Sequence, residues 1–299
     1  MFALKKQKLN GSSFNNLFRK TVQNSGTLKG KGLHSGEPIS LTVHPAKNGE
    51  GIYFFKKKGF DTARLEVKLE NVIDTSLAVT VGAHKFYMQT IEHLMFAIFV
   101  LGITDLAIEV NGSSEIPIMD GSALPFIDFL ENLEFHEFDT KIEPIEIKEP
   151  VMVTDGNRYL TAMPSEHFQI SYSIDYQHPL LKNQSVELNY NSNYFKKNIG
   201  KARTFGFLKE VEILKQNGLG KGGNIENVLI FTHDSTLNKP RFEKEALYHK
   251  ILDLIGDLAL IGRPLRAHVI ASRAGHALDV AFGKKVLQTI SPEQSLLNV

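Results

Sequence analysis

The chain has 299 residues, 42% of them apolar, which is enough for one large core or for two domains of about 150 residues each. We favour two domains. The 34 basic and 33 acidic residues leave a formal net charge of +1, so no global field draws the chain to nucleic acid or anionic lipid. Cysteine is absent, which excludes disulfides, thiolate metal ligands and cysteine nucleophiles and is compatible with a reducing cytoplasm.

Neither a membrane span nor a secretion signal is indicated. The most apolar run, residues 94–103, is roughly half as long as a helix that crosses a bilayer. Residues 1–20 carry several basic side chains but lack the apolar core of a signal peptide, so we interpret them as a loose N-terminal extension. We therefore expect a cytoplasmic protein without a transmembrane segment.

In the first half of the chain, strand patterns precede and surround two helix patterns. The predicted strands are residues 39–44, 51–55, 64–69, 77–81 and 105–110, and the predicted helices are residues 88–101 and 122–133. A turn is predicted at residues 111–113. The first helix pattern is strongly apolar, which indicates a buried helix.

The same order of strands and helices recurs in the second half. Strands are predicted at residues 144–153, 159–163, 168–176, 227–231 and 265–271, and helices at residues 194–199, 208–217, 242–261 and 275–290. Strands and helices bunch, which favours an α+β fold over a doubly wound parallel sheet. The stretch 139–150 is the natural boundary, giving an N-terminal extension 1–20, domain I 21–140 and domain II 141–299.

The predicted helix around His249 can supply metal ligands. At about 100° per residue, His249, Asp253 and Asp257 fall within an arc of roughly 80°, opposite an apolar face. A histidine and an aspartate four residues apart can bind one metal ion. The same spacing is common on the solvent-facing side of an ordinary amphipathic helix, so the pattern alone leaves both interpretations open.

Glu92 and His93 lie in the apolar segment of the first half. A histidine there is commonly a hydrogen-bonded core residue. Burying both polar groups costs several kcal/mol unless each has a partner, and a metal ion with its water would satisfy both. Two histidines and one carboxylate are the ligands with which catalytic zinc keeps a position open for water, and an adjacent glutamate can take that water's proton. The combination favours a metal-activated hydrolase, although spacing cannot establish that the two segments meet.

Five uncommon strings occur in order along the chain. They are residues 90–94 (Thr-Ile-Glu-His-Leu), 114–122 (Ser-Glu-Ile-Pro-Ile-Met-Asp-Gly-Ser), 202–207 (Ala-Arg-Thr-Phe-Gly-Phe), 249–257 (His-Lys-Ile-Leu-Asp-Leu-Ile-Gly-Asp) and 272–278 (Ser-Arg-Ala-Gly-His-Ala-Leu). Together they resemble the bacterial UDP-3-O-acyl-N-acetylglucosamine deacetylases of lipid A synthesis. The resemblance runs from about residue 23 to about residue 288, through residues 32–36 and 74–77.

This resemblance implies a fold and a metal site. The fold is two similar α+β domains, each a β-sheet layered against α-helices, with the active site at the domain interface. The cofactor is Zn²⁺, held by His93, His249 and Asp253, and a water molecule bound to the zinc is the nucleophile. Histidine and aspartate also suit ferrous iron.

The resemblance also implies catalytic roles. Glu92 is the general base, and His276 is the general acid or cationic stabiliser. Asp257 orients His276. The hydroxyl of Thr204 helps to hold the developing oxyanion.

The implied substrate is UDP-3-O-acyl-N-acetylglucosamine, whose N-acetyl amide is hydrolysed to give acetate and UDP-3-O-acyl-glucosamine. Lys250 is expected near the diphosphate, and Phe205 and Leu77 beside the substrate. Phe207 and Gly222 belong to a region expected to form the acyl passage, although an ordinary surface helix would show similar apolar residues. We expect a monomer that binds no nucleic acid and that could contact a membrane or acyl chains peripherally.

Two other function classes are compatible with layered α+β domains. A nucleic-acid-binding module would need a basic or aromatic stripe, which the sequence lacks. A metalloprotease would commonly carry His-Glu-x-x-His, which is absent. The glycine-rich stretches 30–36 and 218–224 match neither a dinucleotide fingerprint nor a Walker motif. Two positions depart from the family pattern: Ala78 replaces a cysteine of some relatives, and Asp279 stands where asparagine is frequent.

Overall fold

The structure is a computed structural model that describes residues 17–59 and 61–290. Residues 1–16 of the expected extension and residues 291–299 of the expected second domain lie outside the described residues. The remainder of the expected extension is not loose, because a strand already begins at Leu17. The α+β class is confirmed, with strands and helices forming separate layers.

The described residues of the first half form ten strands and two α-helices. The strands are β1 (Leu17–Val22), β2 (Gly26–Lys31), β3 (Pro38–Pro45), β4 (Ile52–Lys58), β5 (Asp61–Glu66), β6 (Val72–Asp74), β7 (Thr80–Ala83), β8 (Phe86–Gln89), β9 (Leu106–Gly112) and β10 (Phe135–Ile142). The helices are α1 (Glu92–Leu101) and α2 (Leu124–Glu131), and a 3-10 turn spans Leu69–Asn71.

The second half follows the same alternation. Its strands are β11 (Ile145–Glu146), β12 (Val151–Asp155), β13 (Arg158–Pro164), β14 (Gln169–Ile174), β15 (Gln184–Asn189), β16 (Phe205–Phe207), β17 (Leu229–Phe231) and β18 (Leu265–Ser272). Its helices are α3 (Ser192–Tyr194), continued by a π-helical turn at Phe195–Ile199, then α4 (Leu208–Gln216), α5 (Glu245–Leu258) with a 3-10 turn at Ala259–Ile261, and α6 (His276–Thr289).

The main sheets of the two halves share one topology. The first runs β2-β3-β9-β4-β5 and the second β12-β13-β18-β14-β15, with β11 added beside β18. In each sheet the last strand in sequence lies in the centre, pairs antiparallel with the second strand and parallel with the third. Side chains of β14 and β18 alternate between buried and partly exposed, as expected for a sheet with one covered face. The two halves therefore have the similar plan predicted from sequence.

Helices α1 and α5 pack against each other in the interior. Nine of the ten residues of α1 and thirteen of the fourteen of α5 are buried, so neither has a solvent-facing side. A Cβ atom at Gly256 would overlap the backbone carbonyl of Glu92, which shows how closely the helix backbones approach. The polar face of α5 is buried, so the alternative of an ordinary surface helix around His249 is wrong.

Several predicted boundaries were wrong. The helix predicted at residues 88–101 begins at Glu92, because Phe86–Gln89 forms strand β8 and Thr90 adopts a left-handed backbone with φ of 60°. The strand predicted at residues 144–153 is two strands that pair with different neighbours, β11 with β18 and β12 with β13. Strands β2, β10 and β15 were not predicted, since they have few buried side chains. Strand β1 was not predicted because most of it lies in the stretch interpreted as a loose extension. Among the described residues, no helix has the length and apolarity needed to cross a membrane.

Substituting Gly256→Ala tests the close approach of α1 and α5. The added methyl group meets backbone atoms, which cannot rotate away, so we expect the free energy of unfolding to fall by about 3 kcal/mol. Gly283→Ala on α6 is the matched control, because its methyl group meets side-chain atoms of Leu69 and Ile261 rather than backbone, and alanine favours a helix by about 1 kcal/mol. Chemical denaturation measures both; equal stabilities of the two variants would contradict the packing described.

Candidate metal centre and active-site cavity

The two buried helices bring together three side chains with lone pairs. His93 lies at the start of α1, while His249 and Asp253 lie one turn apart on α5. The Oδ1 atom of Asp253 is 3.7 Å from Nε2 of His93 and 3.3 Å from Nε2 of His249. One ligand atom from each residue lies within 4.8 Å of the other two. The segments that sequence spacing could not connect therefore meet.

The protonation states of these groups suit a cation. Burial lowers the pKa of His93 to about 3 and also lowers the pKa of His249, so both imidazoles are neutral at neutral pH. Burial opposes ionisation of Asp253, but its neighbours His249 and Lys250 outweigh it and hold the pKa of that carboxyl well below its usual range. Two neutral imidazoles and an ionised carboxylate pointing at one another are electron-pair donors, which a metal ion would bring into a favourable arrangement.

Each donor on α5 is held by a further contact. The Nδ1–H group of His249 donates to the carbonyl of Ala202 at 3.1 Å, which leaves the lone pair on Nε2. The ammonium of Lys250 donates to Oδ2 of Asp253 at 2.8 Å, which leaves Oδ1 facing the histidines. Partners of this kind fix the tautomer and orientation of metal ligands.

Glu92 lies beside the ligand group, at the first turn of α1. Its side chain is buried, and Oε2 accepts a hydrogen bond from the backbone N–H of Val79 at 3.1 Å. Burial raises the pKa of Glu92 to about 7, against the opposing charge of His276. A carboxyl group with a pKa near neutrality can exchange a proton in either direction, which is what a general base requires.

His276 and Asp257 form a hydrogen-bonded pair. Asp257 lies one turn beyond Asp253 on α5, and its Oδ2 is 2.7 Å from Nδ1 of His276, the first residue of α6. Burial disfavours the charged imidazole, but the carboxylate of Asp257 outweighs burial and raises the pKa of His276 to about 10. The imidazolium is therefore available as a proton donor at neutral pH.

A buried ion pair fixes the segment that carries Thr204. The guanidinium of Arg203 donates to both carboxylate oxygens of Glu245, at 2.8 and 3.1 Å, and to the carbonyl of Lys239. The backbone of Thr204 bonds to Gly121 and Leu229 on either side. With its backbone fixed in this way, Thr204 presents its side chain to the cavity.

A cavity of about 430 Å³ opens onto these groups. Its lining residues are Leu33, His34, Ser76, Leu77, Ala78, Thr90, Glu92, His93, Ile118, Tyr176, Thr204, Phe205, Gly206, Phe207, Glu210, His249, Lys250, Asp253 and His276. Ten of the twelve predicted site residues are among them; Asp257 lies behind His276. The cavity therefore gathers residues from both halves of the chain.

Two residues predicted to contact substrate, Lys250 and Gly222, have contacts within the protein instead. Lys250 lines the cavity, but its ammonium is bound to Asp253. The N–H of Gly222 donates to the carbonyl of Leu33, and a Cβ atom at Gly222 would overlap the carbonyl of Gly32. The close approach of two loops therefore accounts for this glycine, and a contact with substrate stays a prediction.

Sequence reasoning missed some of the cavity wall. Tyr176 and Glu210 gave no signal, because each is an isolated residue whose position depends on the fold. The importance of Glu115 was also missed, although it lies in one of the five strings. Its carboxylate accepts the backbone N–H groups of His34 and Ser35, both at 2.7 Å, and so holds one wall in place.

Comparisons with known proteins match this site to one family. The model of the family described as LpxC, UDP-3-O-acyl N-acetylglycosamine deacetylase, matches residues 19–288. The chain belongs to this family. Proteins named UDP-3-O-acyl-N-acetylglucosamine deacetylase are similar to it over nearly their full length. The one from Leptospira biflexa is 46% identical over 92% of this chain and 91% of the relative. The one from Myxococcus xanthus is 41% identical over 92% and 87%, and that from Thermodesulfovibrio yellowstonii 38% over 91% and 92%.

Family membership gives the ligand group its interpretation. The family is one of metalloenzymes, and His93, His249 and Asp253 form a candidate metal site in this chain. The predicted family relationship is confirmed. The alternative was that His93 is an ordinary core histidine and that the spacing of His249 and Asp253 is a coincidence. It loses its support because the three side chains converge.

Substituting Asp257→Asn tests the electrostatics of His276. Without the carboxylate charge, less opposes the effect of burial, which disfavours the charged imidazole. The pKa of His276 should therefore fall from about 10 towards its ordinary value of 6.5. An NMR titration of histidine-labelled protein measures this pKa directly. Asp128→Asn, at an exposed position on α2, is the matched control and should leave it unchanged. An unaltered titration in Asp257→Asn would show that another group holds the charge.

Proposed function

We propose that this protein hydrolyses the N-acetyl amide of UDP-3-O-acyl-N-acetylglucosamine in lipid A biosynthesis, giving acetate and UDP-3-O-acyl-glucosamine. The observation that carries the proposal is the convergence of three metal-binding side chains with Glu92 and His276 in one cavity of a member of the deacetylase family. Amide hydrolysis needs an activated water, a place for negative charge and a proton for the departing amine. Each requirement has a candidate residue in the cavity.

We assign the metal to Zn²⁺, held by His93, His249 and Asp253. Two neutral imidazoles and one carboxylate are a ligand set of catalytic zinc, and the contacts of His249 with Ala202 and of Asp253 with Lys250 present one atom from each residue to the ion. A zinc ion bound there would polarise the acetyl carbonyl and lower the pKa of a water molecule towards about 7.

Two side chains move the protons. Glu92 accepts a proton from the attacking water as the water oxygen bonds to the carbonyl carbon. His276, kept charged by Asp257, donates a proton to the amide nitrogen as the carbon–nitrogen bond breaks. The acetyl group leaves as acetic acid, which gives its proton to the free amine of the sugar and becomes acetate. Glu92 then loses the proton it took from water and His276 regains one, so atoms and charges balance with no further reactant.

Thr204 stabilises the negative charge that develops on the carbonyl oxygen. Its side chain lines the cavity, and both its backbone N–H and carbonyl are already bonded, so only the hydroxyl is free to serve a ligand. A donor fixed before the reaction starts is worth about 3 to 4 kcal/mol at a developing oxyanion.

The cavity wall offers separate surfaces for the substrate's parts. Phe205, Phe207 and Tyr176 pack ring against ring, with centroids 5.7 to 5.9 Å apart where they meet, and Leu77 is 51% exposed at the rim. We assign the acyl chain to this apolar wall and to the passage beside Gly222. Lys250 contributes positive charge near the diphosphate as well as holding Asp253.

We extend the proposal to the protein's surroundings. It acts as a cytoplasmic monomer that needs no nucleic acid. Leu208 on α4 is 37% exposed and Ile213 on the same helix is 56% exposed, and this apolar surface supports peripheral contact with acyl chains or a membrane.

Metal content and acetate release together test the assignment of ligands and base. His93→Ala and His249→Ala remove a ligand, so both bound zinc and turnover should be lost. Glu92→Gln keeps the shape of the side chain but cannot accept a proton, so the variant should retain one equivalent of metal and lose turnover by at least about 10²-fold.

Exposed positions supply matched controls for these variants. His167→Ala and Glu187→Gln make the same chemical changes away from the cavity and should keep full metal and turnover. Full activity of metal-depleted wild type, or zinc retained in both histidine variants, would refute the ligand assignment. Peptidase activity with no acetate release from the UDP-sugar would instead favour a metalloprotease.

Thr204→Val tests the oxyanion role with an isosteric side chain. Losing one well-placed donor should lower kcat by about 10² to 10³-fold and leave KM nearly unchanged, because the interaction forms in the transition state. Steady-state kinetics give both constants. Thr62→Val, at an exposed position on strand β5, is the control. A loss confined to KM would place Thr204 in substrate binding instead.

A further inference from the structure

A second acidic residue lies behind the catalytic pair without a described partner. Asp279 is the fourth residue of α6 and is 0% exposed. Within residues 17–59 and 61–290, neither of its carboxylate oxygens has a hydrogen-bond partner, and Oδ1 of Asp257 also has none. Buried carboxylate oxygens without partners are costly, so these three atoms call for an explanation.

The carboxyl groups of Asp279 and Asp257 are close neighbours. A carboxylate oxygen of Asp279, one of Asp257 and a ring nitrogen of His276 all lie within 4.8 Å of one another. Oδ2 of Asp257 is already bonded to His276, so the oxygen of Asp257 that remains available is Oδ1. Two carboxyl groups thus share one buried site, and a single imidazole bonds to only one of them.

The surrounding charges do not supply a counter-ion to Asp279. The titratable groups facing it are Asp253, Asp257 and Lys250 from α5, His276 from its own helix, and the hydroxyl of Tyr172 from β14. Lys250 donates to Asp253, and His276 donates to Asp257. Both cations are therefore already committed to other carboxylates.

We propose that Asp279 is a positioning residue that is protonated at neutral pH and donates a hydrogen bond to Oδ1 of Asp257. One proton then satisfies both carboxyl groups: the Asp279 hydroxyl is the donor and Asp257 stays the ionised acceptor. Asp257 is held at both oxygens, by His276 on one side and by Asp279 on the other. The bearing of this contact on catalysis rests on the proposed function, whereas the contact itself does not.

Electrostatics support this distribution of the proton. Two like charges in one buried site cannot both persist, so one carboxyl must stay neutral. Burial, aided by the charge of Asp257 and opposed by that of Lys250, raises the pKa of Asp279 to about 8. Asp279 also lies in the first turn of a helix, which favours its charged form, but that effect is typically less than about 1 kcal/mol. Asp257 has the direct bond to an imidazolium and is therefore the group that ionises.

This arrangement has a consequence at alkaline pH. When Asp279 loses its proton, the hydrogen bond to Asp257 is replaced by repulsion between two carboxylates. The orientation of Asp257, and through it that of His276, should then loosen at a pH below that at which His276 itself loses its proton.

Two substitutions of similar size separate the roles of donor and charge. Asp279→Asn keeps an N–H donor for Asp257 but cannot ionise, so kcat at pH 7 should stay within about threefold of wild type. Asp279→Leu fits the buried position but removes the donor, so kcat should fall about tenfold or more with KM little changed. Thermal denaturation shows whether the leucine variant is folded, and Asp128→Asn is the control for the charge change.

NMR titration of His276 in the metal-loaded protein without substrate tests the contact independently of activity. In wild type and Asp128→Asn, the His276 resonances should show an inflection near the pKa of Asp279 that precedes their own titration; in Asp279→Asn this inflection should be absent.

The same inflection in Asp279→Asn, or equal loss of kcat in the asparagine and leucine variants, would overturn the proposal. So would a second equivalent of bound metal that disappears only when Asp279 is substituted, since a cation would then be satisfying these oxygens. If acetate is never released but the inflection behaves as expected, only the proposed function has failed.

Discussion

The site depends on the close approach of two buried helices, α1 from the first half of the chain and α5 from the second. Gly256 allows the backbones to meet at Glu92, and that contact sets the distance between His93 and the donors of α5. Because both helices are buried nearly all round, their polar side chains must find partners inside the protein. The interior is therefore organised by polar pairs: His249 with Ala202, Lys250 with Asp253 and His276 with Asp257.

The two halves share a sheet topology but contribute different chemistry. The first supplies Glu92 and His93, and the second supplies His249, Asp253, His276 and Thr204. Contacts between loops close the cavity at the junction: Gly222 of the second half donates to Leu33 of the first, and Arg241 donates to the carbonyl of Asp120. A shared scaffold with divergent loops is a common way to build such a site, because the sheets hold the frame while loops and helix ends carry the reactive groups.

The sequence predicted those helices and strands that a local pattern of apolar residues determines. The apolar run after His93 predicted a buried helix, and the strand patterns at residues 105–110 and 265–271 predicted the two central strands. Edge strands such as β2 and β15 were missed because pairing, not side-chain burial, stabilises them. The His-Asp spacing on α5 was ambiguous, since a surface helix has the same period; only the tertiary contact with α1 decided it. Partners that depend on the fold, such as Ala202 for His249 and Glu115 for the His34 loop, could not have been found from spacing.

Asp253 and Asp257 show how position along one helix separates two carboxylates into different roles. They are one turn apart on α5 and equally buried, yet the pKa of Asp253 is held well below its usual range and that of Asp257 is raised by burial against the opposing charge of His276. Asp253 faces Lys250 and two imidazoles, which suits a permanently ionised ligand. Asp257 faces one imidazole and a second acid, Asp279, which leaves it with less compensating charge. The helix thus passes from a candidate metal ligand to the partner of a charged imidazole within about 5 Å, one helical pitch.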